Sequence, residues 1–299
     1  MAESFYKSLD IGKDVANTRT LLHEAIPLTG TIVSGTYGTA NIKNYAHGMF
    51  QSVYDYPYLS SSANHIFDIT AGISAESAIF DLVDNQASKK LNIYNQMAQV
   101  LVGFDHTGSV QRFDEDGDIL AGGTKLDNIF FMNFARLLSK DEIKKGTFNL
   151  ELGVTPAYSQ AGAVFGDRIK IEDTSGSNGY LVNSPVGEYG ILYATRSAGS
   201  NAMLAANQSY AVGLLFYQAG IAVISGSIFN QASAGGILNN SFHNVSMSGP
   251  SSTSEPLNAV LTGSTIDTLA DNLRTRMYNL QFNNTVELNS TVYFCRINH

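Results

Sequence analysis

Hydrophobic residues alternate with polar ones in several segments of the second half of the chain, and this two-residue period is that of a β-strand with one buried face. Two segments, TFNLELGV and RIKIE, show it most clearly (147–154 and 168–172). Two longer segments each hold a pair of apolar runs and therefore predict hairpins (210–229 and 277–299). The first hairpin is expected to turn at Gly220, and the second near Leu288-Asn289-Ser290.

A helical period of three to four residues occurs twice in the first half. Apolar residues recur at this spacing over 87–104, which predicts one amphipathic helix. A second helix is predicted over 124–145, where Thr124 and Asp127 resemble an N-terminal capping box and Gly146 follows a lysine-rich last turn. Because its apolar residues occupy nearly every side of the predicted helix, we expect this helix to be deeply buried.

These patterns together predict an α+β fold. Residues 1–146 would form a helical and loop-rich N-terminal part with two helices, and residues 147–299 an antiparallel, β-rich, sandwich-like part. Within the first part, 29–40 predicts a short strand with turns. A long inserted loop, 231–265, separates the two hairpins. A loop of this length is either an arm that reaches a neighbouring subunit or a disordered surface loop.

The aromatic segment YDYPYLSSSANHIFDIT (54–70) has the proline and serine content of a loop. Aromatic side chains on loops are common anchors of protein–protein contacts. The alternative is that these rings only seal the domain's own core. The candidate partner-contact residues are Tyr54, Tyr56, Tyr58 and, in the inserted loop, Phe242.

Charged residues make up only 15% of the chain, against about a quarter in typical soluble domains. A neutral polar and aromatic surface suits contacts with other protein subunits, because little charge has to be desolvated. The net charge of −8 and the lack of a basic cluster argue against nucleic-acid binding. No apolar run is long enough to span a membrane and no secretory signal is visible, so we expect folding in the cytoplasm.

No sequence motif specifies an enzyme or a metal site. The acidic run 114–118 fails the EF-hand pattern, because Ile119 and Lys125 stand where glycine and glutamate are required. We interpret it as an Asp-Gly turn whose charges stay in water. The histidines are scattered, and P-loop, Rossmann and nucleophile-elbow patterns are missing from the sequence. The single cysteine, Cys295, is expected to be a small buried strand residue. We therefore predict no catalytic residue, no cofactor and no metal.

Several long segments resemble virion structural proteins of large contractile-tailed bacteriophages, closest to the marine T4-like group. They cover most of the chain: LSSSANHIFDIT (59–70), KLNIYNQMAQVLVGFDHTGSVQRFDEDGD (90–118), NFARLLSKDEIKKGTFNLELG (133–153), SYAVGLLFYQAGIAVISGSIF (209–229) and NLQFNNTVELNSTVYFCRINH (279–299). The resemblance implies a non-enzymatic structural protein of the virion, assembled in the host cytoplasm. The expected location is the contractile-tail baseplate, with the neck as the alternative, and the expected partners are other virion proteins and copies of itself.

Two other functions compete with this one. A receptor- or glycan-binding tail module would use four tyrosines as an exposed stacking site, since aromatic faces suit sugars as well as proteins: Tyr45, Tyr54, Tyr56 and Tyr58. A virion-borne hydrolase is disfavoured by the missing motifs. The related phage sequences run on beyond the matching Asn-His pair at 298–299. We therefore expect the natural chain to continue, or another chain to cover the last strand.

Overall fold

The computed structural model describes residues 9–22, 39–80, 85–117, 122–138, 141–155, 165–199, 202–203, 209–239 and 264–295. Within these ranges the chain is mostly antiparallel β-sheet. Its strands are β1 (Val15–Leu22), β2 (Ile42–Asn44), β3 (Gln51–Tyr54), β4 (His65–Ile73), β5 (Asn128–Asn133), β6 (Glu142–Ile143), β7 (Asn149–Gly153), β8 (Arg168–Glu172), β9 (Leu181–Ser184), β10 (Gly187–Ala198), β11 (Tyr210–Phe216), β12 (Ile221–Ser225), β13 (Met277–Gln281) and β14 (Asn284–Tyr293). Its helices are α1 (Asn85–Leu101), α2 (Gly176–Gly179) and α3 (Ile266–Arg276).

One large antiparallel sheet has the strand order β13-β7-β8-β10-β11-β12-β5-β4-β3-β2, with β9 paired to β10. This sheet closes back on itself in a sandwich-like way. Phe134, just after β5, packs against Phe148 and Phe282 with ring centroids 5.9 and 5.4 Å apart. Phe148 precedes β7 and Phe282 follows β13, which are the first two strands of the order, whereas β5 is the seventh. The main core lies between the two ends of the sheet, and α3 contributes Leu269 and Leu273 to it.

A second apolar layer covers the other face of the central strands. Helix α1 supplies Tyr94 to this layer, and Phe113 lies at its centre. The Phe113 ring makes edge contacts with Tyr94, Phe131 and Phe216 at centroid distances of 5.6, 5.7 and 6.3 Å. Phe131 lies on β5 and Phe216 on β11. The central strands are therefore buried on both faces, which gives them nearly continuous apolar sequences.

The α+β interpretation is wrong, because the residues that predicted a second helix form a strand. Residues 128–133 are β5, which pairs with β4 on one side and β12 on the other. Thr124 and Asp127 therefore cap no helix. Gly146 lies between β6 and β7 with a left-handed backbone (φ 76°). An apolar run that is buried on both sides has the same composition in a strand as in a buried helix, so periodicity alone could not separate the two. The described N-terminal part is consequently not helical and loop-rich.

Several local predictions are confirmed. Helix α1 begins two residues before the predicted segment 87–104 and ends three residues before its end, and the segments 147–154 and 168–172 contain β7 and β8. The segment 210–229 contains the β11–β12 hairpin, in which Phe216 pairs with Ile221 and Gly220 takes a positive φ of 66°. Each of these predictions rests on a pattern of residues that is visible within one short stretch of sequence.

The predicted hairpin over 277–299 is wrong. Strand β13 pairs with β7, and β14 runs from Asn284 to Tyr293 without a turn near Asn289. Its main partner is β1, from the other end of the described chain. A turn was predicted because Asn and Ser favour turns, but pairing with a distant strand decides the conformation here.

The acidic run does form a turn, and Gly117 takes a φ of 75° in it. The expectation that its charges stay in water is wrong for Asp114. That side chain is fully buried and forms a salt bridge with Lys125. Burial of an unpaired carboxylate is costly, so the lysine offsets the loss of hydration.

Only the two ends of the inserted loop, 231–239 and 264–265, are described. Gln231 forms an isolated bridge with Leu238, whose side chain is fully buried in the main core. Residues 240–263, with Phe242, lie outside the described residues, as do residues 29–38 of the predicted N-terminal strand.

A buried carboxylate joins the turn before β7 to the end of β8. Asp173 accepts hydrogen bonds from the backbone N–H groups of Gly146 (2.7 Å) and Phe148 (3.0 Å) and from the Tyr217 hydroxyl (3.1 Å). Burial raises the pKa of Asp173 to about 6, although these hydrogen bonds act in the opposite direction. Between the ordinary pKa of an aspartate and about pH 6, Asp173 is therefore protonated in the native state but ionised in the unfolded chain.

We expect the Tyr217→Phe variant to lose more stability at about pH 8 than at about pH 5, because the hydroxyl favours the ionised form of Asp173. Without that donor the native pKa of Asp173 rises further. A raised native pKa of a carboxyl group lowers the free energy of unfolding. This loss is absent below the pKa of the unfolded state and reaches its full size above the pKa of the native state. The loss at about pH 8 should be about 1–3 kcal/mol. Urea unfolding at both pH values measures it.

The Tyr193→Phe variant is the control, because the Tyr193 hydroxyl has no hydrogen-bond partner among the described residues. It should show little loss at either pH. An equal loss for Tyr217→Phe at both pH values would contradict the role assigned to the hydroxyl.

Candidate functional site

The first and last described strands pair to form a two-stranded antiparallel ribbon. Strand β1 pairs with β14 from Val15 opposite Tyr293 to Leu22 opposite Val286. At about 3.4 Å per residue, this pairing makes a ribbon of roughly 27 Å. We call it the terminal ribbon, meaning β1 together with residues 286–294, that is, most of β14 and the residue that follows it.

The root of the terminal ribbon is fixed in the protein body. Asn284 and Thr285 are buried and pair with β6. The Asn284 side-chain amide donates a hydrogen bond to the Leu137 carbonyl (2.9 Å), and the Lys144 amide donates one to the Asn283 carbonyl (2.7 Å). From Leu288 onward every β14 residue whose burial is described is exposed. The ribbon therefore leaves the body from a rigid base.

One face of the terminal ribbon is apolar and exposed. Alternation along β14 places Leu288, Val292 and Phe294 on this face, and they are 50%, 48% and 53% exposed. Ala16 lies opposite Val292. The Thr18 and Ser290 hydroxyls, between the apolar positions, hydrogen-bond to each other at 2.6 Å. Exposed apolar residues that share a face mark an interaction surface more strongly than isolated ones do.

The edges of the terminal ribbon are also open. Among the described strands, none pairs with the outer edge of β1, and β6 covers β14 only at residues 284–285. Free edges are usually blocked by lysine or proline, but the ribbon sequence contains neither and carries only Arg19 and Glu287 as charged residues. A two-stranded ribbon is at best marginally stable alone. It would gain stability from a third strand or from a covering surface.

The aromatic segment is only partly a loop. Strands β3 and β4 pair, so residues 55–64 connect them and residues 65–70 belong to β4. The Tyr54 ring lies 6.3 Å from Tyr58 and 5.4 Å from His65, whereas Tyr56 points outward and is 57% exposed. The structure thus brings Tyr54 and Tyr58 together and separates Tyr56 from them. A role for these residues in partner contact stays a prediction.

A pocket of about 600 Å³ opens beside this loop. Strands β3 and β4 form its floor, and the short 3-10 turn after β5 forms one wall. Four aromatic rings and two charged side chains line it: Tyr45, Phe50, Tyr54, His65, Asp68 and Arg136. We call it the aromatic pocket. Of the four tyrosines predicted to form a stacking site, only Tyr45 and Tyr54 line it.

Sequence reasoning missed both Asp68 and Arg136, and also the apolar face of the terminal ribbon. The alternation in VELNSTVYF contained the signal for that face. It was hidden by the turn expected near Asn289. The two charged residues carried no local signal, because they come from separate elements that meet only in the folded chain.

The expectation that Cys295 is buried is wrong. The residue follows β14 and is exposed. Phe294, immediately before it, donates its backbone N–H to the Asp14 carbonyl (2.8 Å) and so extends the pairing of the ribbon by one residue. The thiol therefore lies at the outer end of the terminal ribbon, next to the exposed apolar face.

Comparisons with protein-family models, with curated proteins and with solved structures found no match for this chain. No helix in the described ranges has the length and apolar character needed to cross a membrane. Over the same residues, His, Cys, Asp and Glu side chains form no group of three that could hold a metal ion.

We expect Cys295 to react with a water-soluble thiol reagent as fast in the native protein as in urea, because its environment is open in both states. Absorbance of the released thiolate from Ellman's reagent follows the reaction, and the chain holds no other cysteine. A native rate slower than the urea rate by an order of magnitude would show that the ribbon end is covered in the isolated protein.

Proposed function

We propose that the protein is a non-enzymatic structural subunit that binds neighbouring copies of itself through the terminal ribbon. The exposed apolar face of Leu288, Val292 and Phe294, on a ribbon with open edges, is the observation that carries this proposal. Covering the exposed part of each side chain would contribute on the order of 1 kcal/mol. A strand of a second copy added at either edge would supply main-chain hydrogen bonds as well.

Weak contacts of this kind suit an assembly of many copies. Once one contact holds two subunits together, every further contact forms at a high effective concentration. The low content of charged residues supports the same reading, because an uncharged interface needs little desolvation. A rigid root at Asn284 would hold each ribbon in a defined direction, which a subunit that sets the spacing of its neighbours requires.

The resemblance to phage structural proteins supplies the proposed location. We place the subunit in a contractile phage tail, in the baseplate, and the neck is the second possibility. Other virion proteins would then be further partners. This part of the proposal rests on the sequence segments that carry the resemblance, and the ribbon contact does not depend on it.

The Val292→Lys variant should weaken self-association of the full chain at least about tenfold, because a lysine would be buried without a partner in the contact. Sedimentation velocity over a range of concentrations measures it. The matched control is Asn17→Lys, which adds the same charge to the opposite face of the ribbon, where Asn17 lies opposite Thr291. If the copies bind through the apolar face, the control should self-associate as strongly as the natural chain. A natural chain that stays monomeric, or two variants that behave alike, would contradict the proposal.

The location is tested on purified particles of the phage that encodes the chain. Cross-linking with mass spectrometry should place the subunit next to tail baseplate proteins and to copies of itself. Cys295 should resist thiol labelling in particles, since the neighbouring copy would cover the ribbon end. Absence of the chain from the particles would refute the location. The sedimentation experiment would still test the ribbon contact, because that contact does not depend on the location.

A further inference from the structure

The aromatic pocket has walls that suit the flat faces of a ring-shaped ligand. The Tyr45 and Phe50 rings lie 4.8 Å apart at 46°, and the Tyr54 and His65 rings meet edge to face at 5.4 Å. The volume of about 600 Å³ falls in the usual range for small-molecule sites, about 300–1,000 Å³. The C–H faces of a sugar ring pack on aromatic side chains, because the ring faces are electron-rich and the C–H groups weakly positive.

A carboxylate is held in place at the floor of the pocket. Oδ1 of Asp68 accepts hydrogen bonds from the Ser52 hydroxyl (2.5 Å) and from Nε2 of His65 (2.6 Å). The other oxygen, Oδ2, has no hydrogen-bond partner among the described residues. Two bonds on one oxygen fix the plane of the carboxylate, so Oδ2 is a positioned acceptor for a ligand donor.

A guanidinium and an amide complete the polar lining. Arg136 is exposed on the 3-10 turn and makes no hydrogen bond or salt bridge within the described residues. Asn64 is fixed by Asp55, whose carboxylate accepts from the Asn64 backbone N–H (2.6 Å) and from its side-chain Nδ2 (2.9 Å). The side-chain carbonyl of Asn64 is thereby oriented as a second acceptor.

The charges select among ligand classes. A phosphate or another anion would be attracted by Arg136 but repelled by Asp68, and a cation the reverse, so a singly charged group gains little from the two residues together. A neutral ligand with several hydroxyl groups avoids both penalties, because each hydroxyl can donate to Asp68 and accept from Arg136. We propose that the aromatic pocket is a binding site for a neutral saccharide, in which Asp68 and Arg136 bind hydroxyl groups and Tyr54 flanks the sugar ring. The Tyr45 ring stacks on His47 (5.1 Å) and lies under the Lys43 ammonium (4.7 Å), so it lines the pocket without a free face. This site goes beyond the ribbon contact and does not require it.

The test uses the full chain and a printed array of bacterial surface oligosaccharides. Saturation-transfer NMR with glucose, galactose and N-acetylglucosamine accompanies the array. At least one of these saccharides should bind. The Asp68→Asn variant keeps an acceptor for Ser52 and His65 but replaces the free acceptor with a donor. It should weaken binding about tenfold or more, and Arg136→Ala should do the same.

The control is Glu76→Gln, which removes an exposed carboxylate beyond the far end of β4. It should bind like the natural chain. Thermal unfolding checks that each variant is folded. If Asp68→Asn does not fold, Arg136→Ala alone tests the proposal, because Arg136 is exposed and its replacement should not disturb the core. The proposal is overturned if no saccharide binds, if both pocket variants bind unchanged, or if inorganic phosphate competes for the site.

Discussion

The contact of Phe134 with Phe148 and Phe282 is the interaction on which the rest of the molecule depends. Twisted sheets of about ten strands rarely stay open, and they curl or split into packed layers. Here the three rings join β5, the seventh strand of the order, to β7 and β13 at one end of it, across the main core. Loss of one ring would leave a cavity in a close-packed interior, at a typical cost of about 3–5 kcal/mol for a phenylalanine.

Both candidate sites contain a residue that lies close in sequence to one of these three rings. Arg136 of the aromatic pocket follows Phe134 by two residues in the 3-10 turn, and Asn284 at the root of the terminal ribbon follows Phe282 by two residues. The packing of the three rings therefore sets the position of the pocket wall and the direction in which the ribbon leaves the body. A substitution in this cluster would alter both sites together, although neither site contains one of these rings.

Much of the β-rich half could be predicted from sequence, because β7, β8 and the β11–β12 hairpin obey local rules of alternation and turn chemistry. Strand β5 could not, since burial on both faces removes the alternation that identifies a strand. The terminal ribbon could not either, because its two strands are far apart in the chain. Of the candidate sites, the tyrosines were visible in the composition of the segment, whereas Asp68 and Arg136 become neighbours through the pairing of β4 with β5, in which Asp68 lies opposite Asn133.

The wide separation of the ribbon's strands in sequence has a consequence for how the protein is made. Thr18 and Ser290, which meet across the ribbon, are 272 residues apart. Chains fold during synthesis from the N-terminal side, and contacts of such long separation form late. Until β14 has been synthesised, β1 has no partner strand, so the proposed contact surface does not yet exist. Under the proposed function, a nascent chain could join a neighbouring copy only after β14 has been made.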